Sequence, residues 1–426
     1  MSEDYTISLL TTVFYTAAHG GFAGESVPLG GGAAVCDHLV AEWERTRPFD
    51  FRLLTPALLG PGAPTGTNLV SFTERQYADF CRKFERAVTE EILRHDPAGT
   101  VVLSNDVAEG PDFRRLAAGG FHIYTIYHVD VVDYVAAIYL RSRIRPETLV
   151  RWQARLGNWW MPEIARLIFE KQRDSLACSR AVIVPSEAMR EVLLRCYPRE
   201  AAGKVQVVPW GVWDAGPPAS PKPLRREFGM PDDALCLLTL SRISPEKGQD
   251  LLLEALLEWE RRGDLPERPL WLFICGEAAY MQGRRFLDHL HRLAARLRRV
   301  RVVFPGYVTG ERKQAFFALA DVYVFPSRHE SYGLTLLEAL QAGLPAVCLD
   351  HHGAREVMRP DFGEIVPATV PALRDALARV LSDDQARRRQ SAAARAYAAG
   401  QRFKDSAARL AELLLASTAP SQSRLL

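Results

Sequence analysis

The chain has 426 residues, 48% of them apolar and 24% charged, and 53 Lys and Arg stand against 51 Asp and Glu for a net charge of +2. That length is too great for one ordinary core and predicts two large domains, while the near-balanced charge argues against nucleic acid as a partner. Cys36, Cys81, Cys178, Cys196, Cys236, Cys275 and Cys348 are scattered through apolar stretches with no C-x-x-C pair, so buried free thiols in a reducing cytosol are expected rather than a disulfide scaffold.

The opening MSEDYTISLL is acidic and runs into a strand pattern, and no run of 18 apolar residues occurs, so a cytoplasmic protein without a membrane span is expected. YTISLLTTVF reads as a strand, GGFAGE at 20–25 as a flexible loop, Gly30-Gly31-Gly32 as a turn, AAVCDHLVAEWERT as a helix and FDFRLLTP as the next strand. TVVLSND, FHIYTIYH, RAVIVPS and KVQVVPWG continue the series. Segment 151–173, with Trp152, Trp159, Trp160 and Met161 among arginines, reads as helix packing in the first domain; an acceptor channel or a peripheral membrane contact is the alternative.

WDAGPPASPKP, residues 213–223, gathers four prolines with Gly and Ser and marks a linker. The alternation then restarts with the strands ALCLLTLSR, LWLFICGE, VRVVFPGYV, DVYVFPS and PAVCLD, followed by Ala- and Arg-rich helices from Val370 to Leu415. Strands alternating with helices predict an α/β protein of two Rossmann-like, doubly wound domains facing a central cleft. The expected divisions are 1–215, 216–400 and a C-terminal helix in 401–426 that packs on whichever domain offers an apolar groove, the N-terminal domain being the candidate.

In open α/β sheets ligands bind beyond the carboxyl ends of the strands, which directs attention to the loops of the second half. Glu330 follows DVYVFPS, a helix is expected to start near Gly333, and the N–H groups of Tyr332, Gly333, Leu334 and Thr335 would form an anion site at its N-terminus. Glu338 lies about one turn further into that helix, beside the apolar stripe Leu336, Leu337 and Leu340, and a carboxylate there suits paired hydroxyls: Glu338 on a ribose, Glu330 on a sugar. A lone glutamate at that place would be read as a partner of the helix dipole. LTLSRISPEKG adds Arg242 and Lys247 on either side of a turn, a guanidinium fork and a point charge suited to a diphosphate. No D-x-D pair ends a strand, so these cations would replace a metal, and no metal or other cofactor is expected. His351 and His352 beside Asp350 are adjacent on a loop and are not taken as ligands. Neither half offers the G-x-G-x-x-G fingerprint of an NAD-dependent oxidoreductase.

Taken together, SRISPEKG, FICGE, GYV, HESYGLTLLEALQAGLPAV and GAREVM resemble the retaining glycosyltransferases of the GT-B fold, specifically the large group with an E-x7-E motif, glycosyltransferase family 4 (glycosyl transferases group 1). The resemblance implies a hexosyltransferase that uses a UDP- or GDP-type sugar donor and a small-molecule, glycan or lipid-linked acceptor. By this likeness Arg242 and Lys247 bind the donor diphosphate, Glu330 contacts donor sugar hydroxyls and Glu338 holds the ribose. Gly306, Ser331, Tyr332, Gly333, Leu334 and Thr335 complete the donor site, and Tyr307 and Val308 flank the base. Gly31 and Gly32 match the glycine-rich loop, and His128 matches a histidine near the reacting sugar. The chain departs from the pattern at VPWGVW, where Trp210 and Trp213 replace Asn and Asp, and at DHHGAREVM, where His352 replaces a frequent Gly. A non-catalytic sugar-nucleotide-binding protein is the other reading.

Overall fold

The computed structural model describes residues 11–20, 30–134, 136, 144–156, 162–214, 216, 219–278 and 280–416. Two six-stranded parallel sheets carry the chain. The first holds β1 (Thr12–Thr16), β2 (Asp50–Leu54), β3 (Thr100–Ser104), β4 (His122–Ile126), β5 (Ala181–Val184) and β6 (Val205–Val207), in the order β2-β1-β3-β4-β5-β6. The second holds β7 (Leu235–Leu240), β8 (Leu270–Cys275), β9 (Val300–Gly306), β10 (Val322–Phe325), β11 (Ala346–Leu349) and β12 (Gly363–Val366), in the order β12-β11-β10-β7-β8-β9. Helices cover both faces, which is why β3, β5, β8, β10 and β11 are buried along their whole length and read as unbroken apolar runs.

Three local expectations change. The first strand is Thr12–Thr16, and the part of the expected strand before residue 11 lies outside the described residues. Gly30 does have the positive φ of a turn, 97°, but it caps a helix, and Gly31 and Gly32 are the first residues of Gly31–Thr46 rather than part of the turn. β12 completes the edge of the second sheet at a place where GEIV gave too short a pattern to be read. Residues 21–25 of the expected flexible loop, and Trp159, Trp160 and Met161, lie outside the described residues.

The chain crosses between its halves twice. Phe403–Leu415 lies against Gly31–Thr46, where Trp43 Nε1 donates to the Ala407 carbonyl at 3.3 Å. At the crossing Val212 and Arg402 form a parallel bridge, with Val212 N donating to Gln401 O at 2.6 Å and Phe403 N to Val212 O at 2.9 Å. Gly211 has no room for a side chain, because a Cβ there would collide with the Arg402 backbone. Six of the seven cysteines are buried and Cys178 is partly so. No helix among the described residues is long and apolar enough to cross a membrane.

Candidate functional site

Strand order reverses between β7 and β10, so the loops that follow these two strands open a crevice at the edge of the second sheet. Arg242 follows β7, and a single tight turn, Pro245–Lys247, delivers Lys247. Gly248 (φ 66°) lets this loop pass against the backbone of Pro326, after β10, where a Cβ would collide with a carbonyl. Lys247 Nζ consequently makes a direct hydrogen-bonded ion pair with Glu330 Oε1, and Ser327 Oγ donates to the same oxygen at 3.2 Å. Burial alone pushes the Glu330 carboxyl up, but Lys247, with His351 and Arg242, holds it below the ordinary carboxylate range. Arg242 Nη2 stands 3.9 Å from Glu246 Oε1, itself fixed by Ser244 Oγ at 2.6 Å. Lys247 and Glu330, which sequence assigns to different parts of one ligand, are thus in contact.

The helix Leu334–Gln341 starts where the sequence places it, after Gly333 (φ 107°), and Leu336, Leu337 and Leu340 are buried. Glu338 is 5% exposed, and its Oε1 accepts from Trp213 Nε1 at 2.9 Å and from Lys313 Nζ at 2.6 Å. Thr335 Oγ1 accepts from Tyr323 OH at 3.0 Å, and the Ser331 carbonyl accepts from Ser186 Oγ of the first domain at 3.0 Å. Tyr332 is buried. Gly306 has φ 79° and Tyr307 is half-buried, but the Val308 side chain is 4% exposed and packs in the core. Its side chain faces the core, which leaves the backbone at Val308 as the part open to a ligand.

On the first sheet the order reverses between β1 and β3. Asn105 and Asp106 follow β3, His128 follows β4, and Gly31 and Gly32 open the helix after β1. Asn105 Oδ1 accepts from Tyr15 OH at 2.6 Å and lies 3.0 Å from His128 Nε2. A carbonyl oxygen only accepts, so the neutral imidazole carries its proton on Nε2 and presents Nδ1 as an acceptor. Burial pulls His128 down to about 4, with Asp106 opposing. A Cβ on Gly32 would stand 2.9 Å from His128 Cδ2, and one on Gly31 3.0 Å from Leu334 Cδ1. The structure thus brings Gly31, Gly32 and His128 together, and Gly31 faces the start of the helix that carries Glu338.

Further contacts join the domains. Ala188 N donates to Glu356 Oε1 at 3.1 Å, and His329 Nδ1 stands 3.9 Å from Asp133 Oδ2. A small cavity there is lined by Asp130, Asp133, Ser186, His329, Glu330 and His352. His351 Nδ1 accepts from Ala354 N at 3.1 Å and caps the helix His352–Val357, a structural task. Among the described residues no group of His, Cys, Asp and Glu has the arrangement of a metal site.

Sequence reasoning missed four side chains. Asn105 and Asp106 follow β3, so the strand-end rule that found Glu330 applies to them as well. Trp213 drew attention only as a departure from a pattern. Lys313, inside the helix Gly310–Leu319, carried no local signal.

Residues 222–397 match the family described as Glycosyl transferases group 1. This part of the chain is similar to that family over its matched residues. Similar curated proteins include D-inositol 3-phosphate glycosyltransferase of Xylanimonas cellulosilytica, 33% identical over 56% of this chain and 56% of that protein. Alpha-D-kanosaminyltransferase of Streptomyces kanamyceticus is 32% identical over 42% of this chain and 44% of its own length. The matches span about half the length of these curated relatives. Sucrose-phosphate synthase from Thermosynechococcus elongatus superposes with a TM-score of 0.70 at 19% identity, covering 96% of this chain and 99% of that one. Anabaena HepE in complex with UDP and glucose gives 0.65 at 17% identity, covering 95% and 100%. The likeness shows the fold, the two-domain GT-B architecture.

Proposed function

We propose that the chain is a retaining glycosyltransferase that moves a hexose from a UDP- or GDP-sugar to an acceptor hydroxyl without a metal ion. The observation that carries this reading is the meeting, at the switch point of the second sheet, of Lys247, Glu330 and Arg242, opposite Gly31, Gly32 and His128 of the first. The relation to HepE, solved with UDP and glucose, supports a nucleotide-sugar donor.

In this reading the diphosphate lies between Arg242 and the N-terminus of Leu334–Gln341, and gives Lys247 a second anion beside Glu330. Glu330 accepts from donor sugar hydroxyls, and Glu338 accepts from the ribose. As the bond from the anomeric carbon to the leaving phosphate oxygen breaks, negative charge builds on the diphosphate and the two cations stabilise it. The acceptor oxygen bonds to the same face of the anomeric carbon and its proton passes to the departing phosphate. His128 Nδ1 is an acceptor aimed from the first domain, suited to holding a hydroxyl of the reacting sugar.

The test is a thermal-shift panel of sugar nucleotides followed by initial rates with and without EDTA. A UDP- or GDP-sugar should raise the melting temperature by mass action, and turnover should persist in chelator. Activity that vanishes in EDTA and returns with magnesium or manganese would overturn the metal-free assignment of Arg242 and Lys247. Binding without turnover on any acceptor would leave a sugar-nucleotide-binding protein.

A further inference from the structure

Trp213 stands one residue beyond the bridge at the domain crossing, and its indole touches both halves. On one side the ring lies on the imidazole of His38, from the helix Gly31–Thr46, with centroids 4.1 Å apart and planes 11° from parallel. On the other side Nε1–H donates to Glu338 Oε1 at 2.9 Å, next to Lys313 Nζ, which donates to the same oxygen at 2.6 Å and lies 6.0 Å from the indole centroid. Gln341 Nε2 donates to the Trp213 carbonyl at 3.1 Å and fixes the backbone. Burial, and then Lys313, pull His38 down to about 4, so the ring under the indole is neutral near pH 7.

Resting on the glycosyltransferase reading, the geometry points to Trp213 as a positioning residue: its N–H orients the Glu338 carboxylate for the ribose, while its ring ties that orientation to the first domain. Both donors use Oε1, which fixes the rotation of the carboxylate about its own axis and reserves Oε2 for a hydroxyl. The two functions sit on different parts of one side chain, the N–H edge and the ring face, so they separate by substitution. Trp213→Phe keeps an aromatic face over His38 and removes the donor. His38→Ala keeps the donor and removes the stack.

The experiment titrates wild type, Trp213→Phe and His38→Ala with UDP, GDP and the matching 2′,3′-dideoxynucleoside diphosphates, by calorimetry and by tryptophan emission. Wild type should prefer the ribonucleotide. Trp213→Phe should weaken ribonucleotide binding about tenfold, the scale of a hydrogen bond to a charged group, and leave the dideoxy form little changed. Equal weakening of both forms is what a merely structural role produces and overturns the assignment. The emission change on binding should disappear in Trp213→Phe and shrink in His38→Ala, which keeps its ribose preference. An undiminished change in His38→Ala overturns the tie to the first domain. Lys313→Met removes the other donor and should reduce ribose preference in the same direction, which keeps the test decisive if Trp213→Phe does not fold. Wild type that binds neither UDP nor GDP overturns the glycosyltransferase reading and this assignment together, whereas tight binding with unchanged preference in Trp213→Phe overturns the assignment alone.

Discussion

Replacing Lys247 by Met removes the cation from Glu330 and keeps an apolar stem of similar length. Lys247 and Glu330 side chains are 11% and 19% exposed, so the carboxylate loses its partner in a site with little water. Breaking a fully buried pair costs about 3–5 kcal/mol; Ser327 and Arg242 still act on Glu330 here, which brings the expected cost to about 2 kcal/mol. For domains of this size that is a fall in Tm of about 4–8 °C. The pH dependence follows from the sign of the shift. In wild type the Glu330 carboxyl is held low, so its stabilising effect is complete above the ordinary glutamate value, 4.5, and is lost as pH falls through the lower folded value. Without Lys247, burial dominates and raises the same carboxyl, so the variant is penalised at neutral pH and relieved as acid protonates Glu330. Calorimetric melting curves of both proteins should therefore converge as pH falls from neutral toward about 4.5. The double variant Lys247→Met, Glu330→Gln should recover most of the neutral-pH loss. A single variant as stable as wild type, or a double variant no better than the single, would refute the account of the pair.

Three further outcomes are expected. Gly32→Ala places a methyl 2.9 Å from His128 Cδ2, so turnover should drop about tenfold or more through displacement of the imidazole while nucleotide affinity, measured by calorimetry, holds. His128→Ala should lower turnover with nucleoside diphosphate affinity nearly intact, because the residue belongs to the first sheet; a collapse of affinity with unchanged turnover per bound enzyme would overturn its role at the reacting sugar. His38, His128 and His351 are each pulled by burial from 6.5 to about 4, so the unfolded chain takes up protons first and stability should fall as pH drops from 6.5 toward 4, by up to about 1.4 kcal/mol per unit for each ring. His351→Asn, which retains a capping acceptor, should flatten that slope in melts between those limits.

The two-domain α/β fold was legible because parallel strands buried on both faces leave continuous apolar runs that survive in one dimension, as LWLFIC and VVLS do. Gly30–Gly32 misled because the same glycines that suit a turn also suit a helix start beside His128, and only the position of the imidazole distinguishes the two. Arg242, Lys247, Glu330 and Gly333 were readable from strand-end placement and local chemistry. What could not be read is who touches whom: Lys247 meets Glu330 across 83 residues and Trp213 meets Glu338 across 125. The burial of Val308 in the core is likewise a matter of packing that its local sequence does not show.

The double crossing between the halves has a mechanical consequence. Two chain segments held side by side, at Val212 and Arg402, form a narrow ribbon rather than a single tether. A ribbon bends about a line drawn across it but resists torsion, because twisting would stretch one edge and break the backbone bonds of Val212 to Gln401 and Phe403. Any movement of one half against the other must therefore bend both segments together, and it would separate Gly31 from Leu334.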